Sequence, residues 1–308
     1  MRPTELDDTD STVEGYRALA DNLIEYGIDH PKVAEVRGWL NGFKQVERKG
    51  DEVLVSGVSA APFDVLPSGY GYKGGVARYL FERELRVVMG WGTSVVQEPR
   101  DIDLVRFGRG WTELDATLSR QYMADDFSRG RGVEVISDWS RYASSRDLSV
   151  NEVAYHSETL RMSVVAFADT VARIIRPCRY RGGSLHQPPT LASSLAVKMV
   201  RLYAERLAVG EDWLVAGIPA DQQVTDFDLA VQLNKSLARG EVAAEKFLGV
   251  VYDYGWINPA VLDQSTLLLS MLTELAPSLP GGIEFFSNAP STLRDSALAI
   301  LQVERTEK

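Results

Sequence analysis

Two aspartates separated by one residue, Asp101 and Asp103, are the side chains of this sequence best suited to metal chemistry. They lie in the segment DIDLVRF, whose alternation of polar and apolar residues predicts a β-strand. On a strand, residues i and i+2 point to the same face, so the two carboxylates repel each other unless a cation lies between them. Such oxygen ligands suit Mg²⁺, together with substrate phosphates. Two such ions would activate an attacking hydroxyl and stabilise a leaving pyrophosphate.

The Asp-x-Asp pattern by itself also fits an exposed edge strand or a turn. A second copy, Asp226-Phe227-Asp228, follows Thr225 at the predicted start of a helix. Acidic residues are stabilised at that position by the helix dipole. We therefore predict that the second copy begins a helix and that the first copy binds metal.

A pair of glycines, Gly74 and Gly75, precedes the helical run VARYLFERELRVV. Residues without a side chain let backbone N–H groups approach a phosphate closely, and the N-terminus of a helix favours negative charge. The pattern therefore predicts a phosphate-binding turn. The alternative is an ordinary turn, in which paired glycines are also common.

Two further segments carry charged side chains that fit a nucleotide site. Glu134 lies on the short predicted strand GVEVIS, on the face opposite to Val133 and Val135, where it is either exposed to solvent or a third metal carboxylate. The hexapeptide Arg146–Asn151 contains an arginine that could hold a triphosphate, and an aspartate and an asparagine that could bond a ribose or a base edge. In isolation the hexapeptide also fits a surface turn with a helix cap.

The elements that position these residues divide the chain into three parts. Residues 1–55 are predicted to form an N-terminal helical extension, with helices at about 11–26 and 31–44 before the strand EVLVSGV. Residues 56–180 mix strands, helices and glycine turns without strict βαβ alternation, which predicts an α+β domain. The segment TELDATLSRQYM (112–123) is predicted to be a short helix of this domain. Residues 181–308 are predicted to be helical, most clearly in TLASSLAVKMVRLYAERLA and TDFDLAVQLNKSLARG.

Taken together, these segments resemble the head domain of class II tRNA nucleotidyltransferases and bacterial poly(A) polymerases. That family has, in order, a Gly-Gly-x-x-Arg signature, an Asp-x-Asp strand, a later acidic strand and an Arg-Arg-Asp-x-x-x-Asn signature. Order and approximate spacing match over about residues 65–205, and the segment IIRP at 174–177 resembles the junction between head and neck. The matching segments are KGGVAR (73–78), RDIDL (100–104), VEV (133–135) and SRDLSVNEVAY (145–155).

The resemblance implies a nucleotidyltransferase-type mixed sheet with helices in residues 56–180 and a helical neck and body in residues 181–308. It also implies transfer of NMP from an NTP to an RNA 3′ end, such as that of tRNA, with Mg²⁺ at a two-metal site and release of pyrophosphate. Catalysis of this type is mostly positioning and charge neutralisation. By resemblance, the catalytic metal ligands are Asp101, Asp103 and Glu134. The residues implied to bind the nucleotide are Gly74, Gly75, Arg78, Arg146, Asp147 and Asn151, with Lys198 and Arg201 on the neck helix.

The sequence also departs from the family pattern. Tyr79 stands where the glycine signature has an acid, Ser145 replaces the first arginine of the double-arginine signature, and HSETLRMSVVAF stands where the family has Asp-Pro-x-Gly-Gly. The neck helix lacks the Glu-Asp-x-x-Arg pattern that selects CTP and ATP. The general chemistry therefore carries over, whereas the choice of nucleotide and a CCA product do not. The segment 108–131 is an insertion relative to the family.

Charge and composition bear on the acceptor and on the location. The chain has 308 residues and a net charge of −10, which argues against a surface that binds nucleic acid throughout. The segment Arg161–Ala208 nevertheless contains eight basic and two acidic residues, which indicates either a confined site for an anion or intramolecular ion pairs. A single cysteine, Cys178, and the lack of a long apolar segment or signal peptide predict a cytoplasmic protein without a membrane partner.

Two other functions remain open at this point. The same chemistry could transfer NMP to a protein or small-molecule hydroxyl, as in toxin-like or modifying enzymes, and the acidic net charge and the divergent neck helix favour this acceptor. A non-catalytic nucleotide- or RNA-binding module is disfavoured, because an inactive protein has no physical need for the close pair Asp101 and Asp103.

Overall fold

The computed structural model contains two compact units, divided between Leu185 and His186. We call residues 46–178 the sheet unit and residues 191–306 the helical unit. Among the helices of the described residues, none combines the length and the apolar character that crossing a membrane requires. The described residues are 46–89, 98–122, 132–178, 191–257 and 264–306.

The sheet unit alternates short strands with helices along the chain. Its strands are β1 (Val46–Lys49), β2 (Glu52–Ser56), β3 (Tyr70–Lys73), β4 (Asp103–Phe107), β5 (Val133–Ile136), β6 (Val153–His156), β7 (Thr159–Ser163) and β8 (Ile174–Ile175). Its helices are α1 (Gly74–Met89), α2 (Glu113–Tyr122), α3 (Trp139–Ser144) and α4 (Val164–Ala172), with a 3₁₀ turn at Ser149–Asn151.

Strands β1 to β7 form one mixed sheet of the described residues, in the order β1–β2–β7–β6–β3–β4–β5. Neighbouring strands are antiparallel except β4 and β5, which are parallel because the connection through α2 returns the chain to the start of β5. Lys73 at the end of β3 pairs with Asp103, and Val105 pairs with Glu134. Because paired residues and residues two apart share a face, Lys73, Asp103 and Glu134 lie on the same face of the sheet.

The two faces of the sheet have different covers. On one face, apolar side chains such as Tyr72, Leu104 and Met162 pack with α1 and α4 in the larger core. On the other face, a smaller cluster joins Val105 to the aromatic side chains of α3. Each fully buried large apolar side chain contributes roughly 1.5–3 kcal/mol, so the larger core provides most of the hydrophobic stabilisation. The charged face that carries Asp103 is the one with the smaller cluster.

The helical unit consists mainly of helices, most of which pack against helices that are near them in the sequence. Its elements are α5 (Ser193–Ala208), β9 (Leu214–Val215), α6 (Asp226–Leu237), α7 (Glu241–Asp253), α8 (Gln264–Leu275), 3₁₀ turns at Ala276–Ser278 and Gly282–Phe285, and α9 (Ser291–Thr306). Helix α5 packs against α6 and α7, and α8 packs against α7 and α9. The Thr225 side chain accepts a hydrogen bond from Asp228 N and so caps α6, as its position predicted.

The α+β fold class predicted from the sequence is confirmed, with a helical region after the sheet. The predicted helix at 112–123 is α2, and the predicted strand at 132–137 is β5. The strand predicted in DIDLVRF begins two residues later than expected, at Asp103.

The sheet begins at Val46, before the boundary that the sequence placed at residue 55. The reason is that β1 pairs with β2 and β2 pairs with β7, so both strands belong to the sheet and not to a helical extension. The helices predicted at 11–26 and 31–44 lie outside the described residues.

Candidate active site

Asp103 lies beside the glycine turn at the start of α1. Gly74 has a φ angle of 56°, a left-handed conformation that glycine adopts without steric cost. A Cβ atom at Gly74 would lie 3.4 Å from Asp103 Oδ2, and a Cβ atom at Gly75 would lie 3.2 Å from Cβ of Pro99. The missing side chains at both glycines therefore allow the segment from Pro99 to Asp103 to pass close to the turn.

Asp101 precedes β4 and lies in a bend, although the sequence pattern placed it on the strand. Its residue is half-buried. Pro99 approaches Gly75 and Asp103 approaches Gly74, so the chain at Asp101 passes the same turn. Asp103 lies at this turn because it pairs with Lys73 across β3 and β4, whereas Asp101 lies in the bend that precedes β4.

Glu134 forms ion pairs with two cations. Its Oε2 atom lies 2.5 Å from Lys73 Nζ, and its Oε1 atom accepts a hydrogen bond of 2.6 Å from Arg146 Nη2. Burial raises the pKa of the Glu134 carboxyl, but the hydrogen bonds from Arg146 and Lys73 outweigh burial and bring the pKa below its ordinary value. Glu134 is therefore a carboxylate that two fixed cations neutralise.

This pairing changes the role expected for Glu134. Among the described residues, no group of three or more His, Cys, Asp or Glu side chains is arranged to hold a metal ion. Glu134 also pairs in register with Val105, which lies two residues beyond Asp103 on β4. The Cα atoms of Glu134 and Asp103 are therefore roughly 8 Å apart. A Mg²⁺ ion held by one or two carboxylates and the phosphates of a substrate needs no third carboxylate. Asp101 and Asp103 remain the carboxylates that the sequence predicts for such an ion, whereas Glu134 is bound to Lys73 and Arg146.

The two predicted nucleotide-binding signatures meet through side-chain hydrogen bonds. Arg78 on α1 donates from Nη1 to Asn151 Oδ1 over 2.8 Å, and Asn151 Nδ2 donates to Asp147 Oδ1 over 2.9 Å. Arg78 and Asn151 are separated by 73 residues in the chain. The glycine signature and the Arg-Asp-x-x-x-Asn signature are thus in contact.

Arg146 is held in a fixed position. Its guanidinium lies over the Tyr142 ring, 4.3 Å from the centroid, and its Nε atom donates to Tyr142 O over 3.1 Å. The Tyr142 side chain is buried, and its hydroxyl donates to Val153 O over 2.8 Å. Because Tyr142 already orders the Arg146 guanidinium in the folded protein, binding of an anion to Arg146 would cost little additional side-chain entropy.

A buried polar group that the sequence did not reveal supports the Asp147–Asn151 segment from below. Asp169 Oδ2 accepts hydrogen bonds from Ser149 Oγ and from Arg176 Nε, the latter over 2.7 Å. Burial raises the pKa of Asp169 to about 6, against the opposing effect of Arg176. Cys178 N also donates to Asp147 O over 2.9 Å, so the segment around Arg176 anchors the signature. These residue types are common in any sequence, and only the three-dimensional pairing identifies them.

Lys198 and Arg201, predicted to bind the nucleotide, lie on α5 of the helical unit. Lys198 is half-buried, whereas Arg201 is buried and donates to Gln232 Oε1 over 2.8 Å and to Glu205. The hydrogen bond to Gln232 connects α5 to α6 within the helical unit. We therefore leave Arg201 out of the candidate site.

At least four of the eight basic residues of the segment Arg161–Ala208 are paired with acidic residues within the protein. Residues 179–190, which include two of its arginines, lie outside the described residues. Intramolecular pairing, one of the two explanations left open by the sequence, therefore applies to half of the eight basic residues. The pairs are Arg161 with Glu52, Arg176 with Asp169, Arg201 with Glu205 and Arg206 with Glu211.

No protein-family model matches this sequence, and no curated protein is significantly similar to it. The residues that meet at the end of β3 determine which chemistry the site supports. These residues provide carboxylates from the segment before β4, backbone N–H groups at the start of α1 and two cations on Glu134. Carboxylates for a metal and cations for phosphates are the two requirements of nucleotidyl transfer.

Proposed function

We propose that this protein is a metal-dependent nucleotidyltransferase, which transfers NMP from an NTP to an acceptor hydroxyl and releases pyrophosphate. The leading candidate for the acceptor is the 3′ end of an RNA. The observation that supports the proposal is the position of Asp103 Oδ2 against Gly74, where a carboxylate suited to Mg²⁺ lies beside a turn suited to phosphate.

Each part of the site has a task in this reaction. Asp101 and Asp103 would hold Mg²⁺ together with the phosphates of the NTP. The bound metal would neutralise charge on the phosphates and favour deprotonation of the attacking hydroxyl. The N-terminus of α1 would bind phosphate oxygens through backbone N–H groups. The Arg78–Asn151–Asp147 chain would fix the segment that faces the nucleoside.

The test is a transfer assay with Asp103→Ala. Purified protein is incubated with Mg²⁺, each α-labelled NTP in turn, and an acceptor mixture. We expect Asp103→Ala to reduce transfer at least about 1000-fold, because the metal ligand acts directly on the transferred phosphate.

The matched control is Asp226→Ala, which removes an aspartate from the other Asp-x-Asp sequence at the start of α6. This variant should keep wild-type transfer. Circular dichroism checks that both variants fold. Full transfer by folded Asp103→Ala, or equal losses in the two variants, would refute the proposal.

A second acceptor class has support from one observation. Half of the basic residues that favoured RNA are neutralised by acidic partners inside the protein. That pairing favours an acceptor without a long phosphate backbone, such as a hydroxyl of a protein or a small molecule. Parallel assays with total tRNA and with a protein extract separate the two classes: label in RNA supports the first acceptor, and label in protein supports the second.

A further inference from the structure

Lys73 and Arg146 resemble a phosphate-binding site that the Glu134 carboxylate occupies. Each carboxylate oxygen is bound by one cation, Lys73 on one side and Arg146 on the other. A phosphate group offers similar oxygens with more negative charge, and charged N–H donors bind it in the same manner. The geometry of the cations therefore suits a phosphate as well as it suits a carboxylate.

The two cations are held more firmly than the carboxylate between them. The side chains of Lys73 and Arg146 are 7% and 13% exposed, whereas the Glu134 side chain is 26% exposed. Lys73 is the last residue of β3, and Arg146 is held by Tyr142. Glu134 has a flexible side chain that can turn toward solvent without disturbing the sheet. If it turns, the space in front of both cations becomes accessible.

The triad also adjoins the proposed metal site. Lys73 pairs directly with Asp103 across β3 and β4, so their Cβ atoms are about 5 Å apart. Lys73 immediately precedes Gly74, the residue that Asp103 approaches. A polyphosphate bound at the glycine turn would therefore extend toward the triad.

We propose that Glu134 occupies a phosphate subsite in the free protein and that a nucleotide polyphosphate displaces it from Lys73 and Arg146. This inference rests on the proposed function, which supplies the NTP as ligand. Glu134 offsets part of the positive charge of the buried Lys73 and the half-buried Arg146 until the substrate arrives, and the substrate then takes over both ion pairs. Glu134 is thus a competitor of the substrate and not a metal ligand.

Inorganic tripolyphosphate tests this exchange by isothermal titration calorimetry, without Mg²⁺ and at low salt. We expect Glu134→Gln to bind tripolyphosphate roughly three- to tenfold more tightly than wild type, because the competing charge is gone. Lys73→Met and Arg146→Met should each bind it at least about tenfold more weakly.

Glu52→Gln is the matched control. Glu52 is also a carboxylate paired with an arginine, Arg161, and its side chain is 25% exposed, but it lies on β2. Its substitution should leave the affinity for tripolyphosphate unchanged. If Glu134→Gln does not fold, Glu134→Asp replaces it: the shorter side chain cannot reach both cations, so it should tighten binding to a smaller degree.

Several results would overturn the inference. Unchanged or weaker tripolyphosphate binding by folded Glu134→Gln would do so, as would a lack of binding by wild type and variant alike. A loss of Mg²⁺-dependent NTP binding in Glu134→Gln, with tripolyphosphate affinity unchanged, would make Glu134 a metal ligand instead. Tripolyphosphate binding needs neither an acceptor nor transfer, so failure of the transfer assay and failure of the exchange are separate results.

Discussion

The carboxylates of Asp115 and Glu134 are both bound by arginine within the sheet unit, but the protein encloses only the first. Asp115 has no exposed surface. Arg106 binds it through two hydrogen bonds of 2.7 Å, and Thr112 and Tyr70 bind it as well. Its acceptor sites are therefore satisfied by neighbours on β3, β4 and the start of α2.

Glu134 has about a quarter of its side chain exposed, and its partners are two cations from different segments. No hydroxyl or backbone group among the described residues is recorded as a donor to it. The difference teaches that an ion pair closed on all sides stabilises the fold, whereas one that is open to solvent on one side can exchange its anion.

Removing each carboxylate should separate the two roles most clearly. Asp115→Ala leaves Arg106 half-buried without its partner and should lower the free energy of unfolding by about 3–5 kcal/mol. Glu134→Ala should lower it by about 1 kcal/mol or less, because its pair is partly solvated. Urea unfolding followed by circular dichroism measures both. Equal losses in the two variants would contradict the comparison.

Acid should weaken the closed pair in a defined direction. The Arg106 guanidinium, helped by hydrogen bonds from Thr112 and Tyr70, holds the pKa of Asp115 well below its usual range despite burial. A depressed pKa means that the stabilisation is complete above the ordinary aspartate pKa of about 3.9 and is lost as the pH falls through the folded value. The free energy of unfolding should therefore fall on acidification.

Asp115→Asn is the reference for this pH dependence, because asparagine cannot titrate. The stability difference between wild type and Asp115→Asn should be constant between pH 5 and pH 7, at roughly 2 kcal/mol or more, and should shrink below about pH 4. Urea midpoints across this range give the measurement. A difference that grew toward low pH would show that the sign is wrong.

A smaller effect than the loss of Asp115 is expected at two glycines, Gly74 beside Asp103 and Gly110, whose carbonyl oxygen accepts a hydrogen bond from Arg106. Gly74→Ala and Gly110→Ala each force alanine into a left-handed conformation, with φ of 56° and 70°, and should each cost about 1–2 kcal/mol of stability. A Cβ at Gly110 meets nothing within 4 Å, whereas one at Gly74 meets Asp103. Only Gly74→Ala should therefore also slow nucleotidyl transfer. Equal transfer by the two variants would separate the glycine turn from the proposed reaction.

The elements with strong local patterns were predicted from the sequence. Helices α2 and α5 and strand β5 have regular spacing of apolar residues and clear boundaries, and local physics suffices to form them. The position of Asp103 at the glycine turn was expected from the order of the segments along the chain.

The partners of charged residues could not be predicted in the same way. Lys73 and Glu134 are 61 residues apart, and their pairing depends on the parallel register of β4 and β5. Because the sequence does not show that Lys73 and Arg146 bind Glu134, its carboxylate was expected to bind metal. The resemblance of the neck helix placed Arg201 at a binding site, since a match of residue types along the chain carries no information on burial.

The side chain of Asn151 limits how this sequence can change over evolutionary time. Its Oδ1 atom accepts a hydrogen bond from Arg78, and its Nδ2 atom donates one to Asp147. Position 151 therefore requires an acceptor and a donor on one short side chain. Aspartate there would set two negative groups against each other, and leucine would remove one hydrogen-bond partner from each of Arg78 and Asp147. A substitution of Asn151 is therefore expected to require a compensating substitution at Arg78 or Asp147, so the three positions should change together.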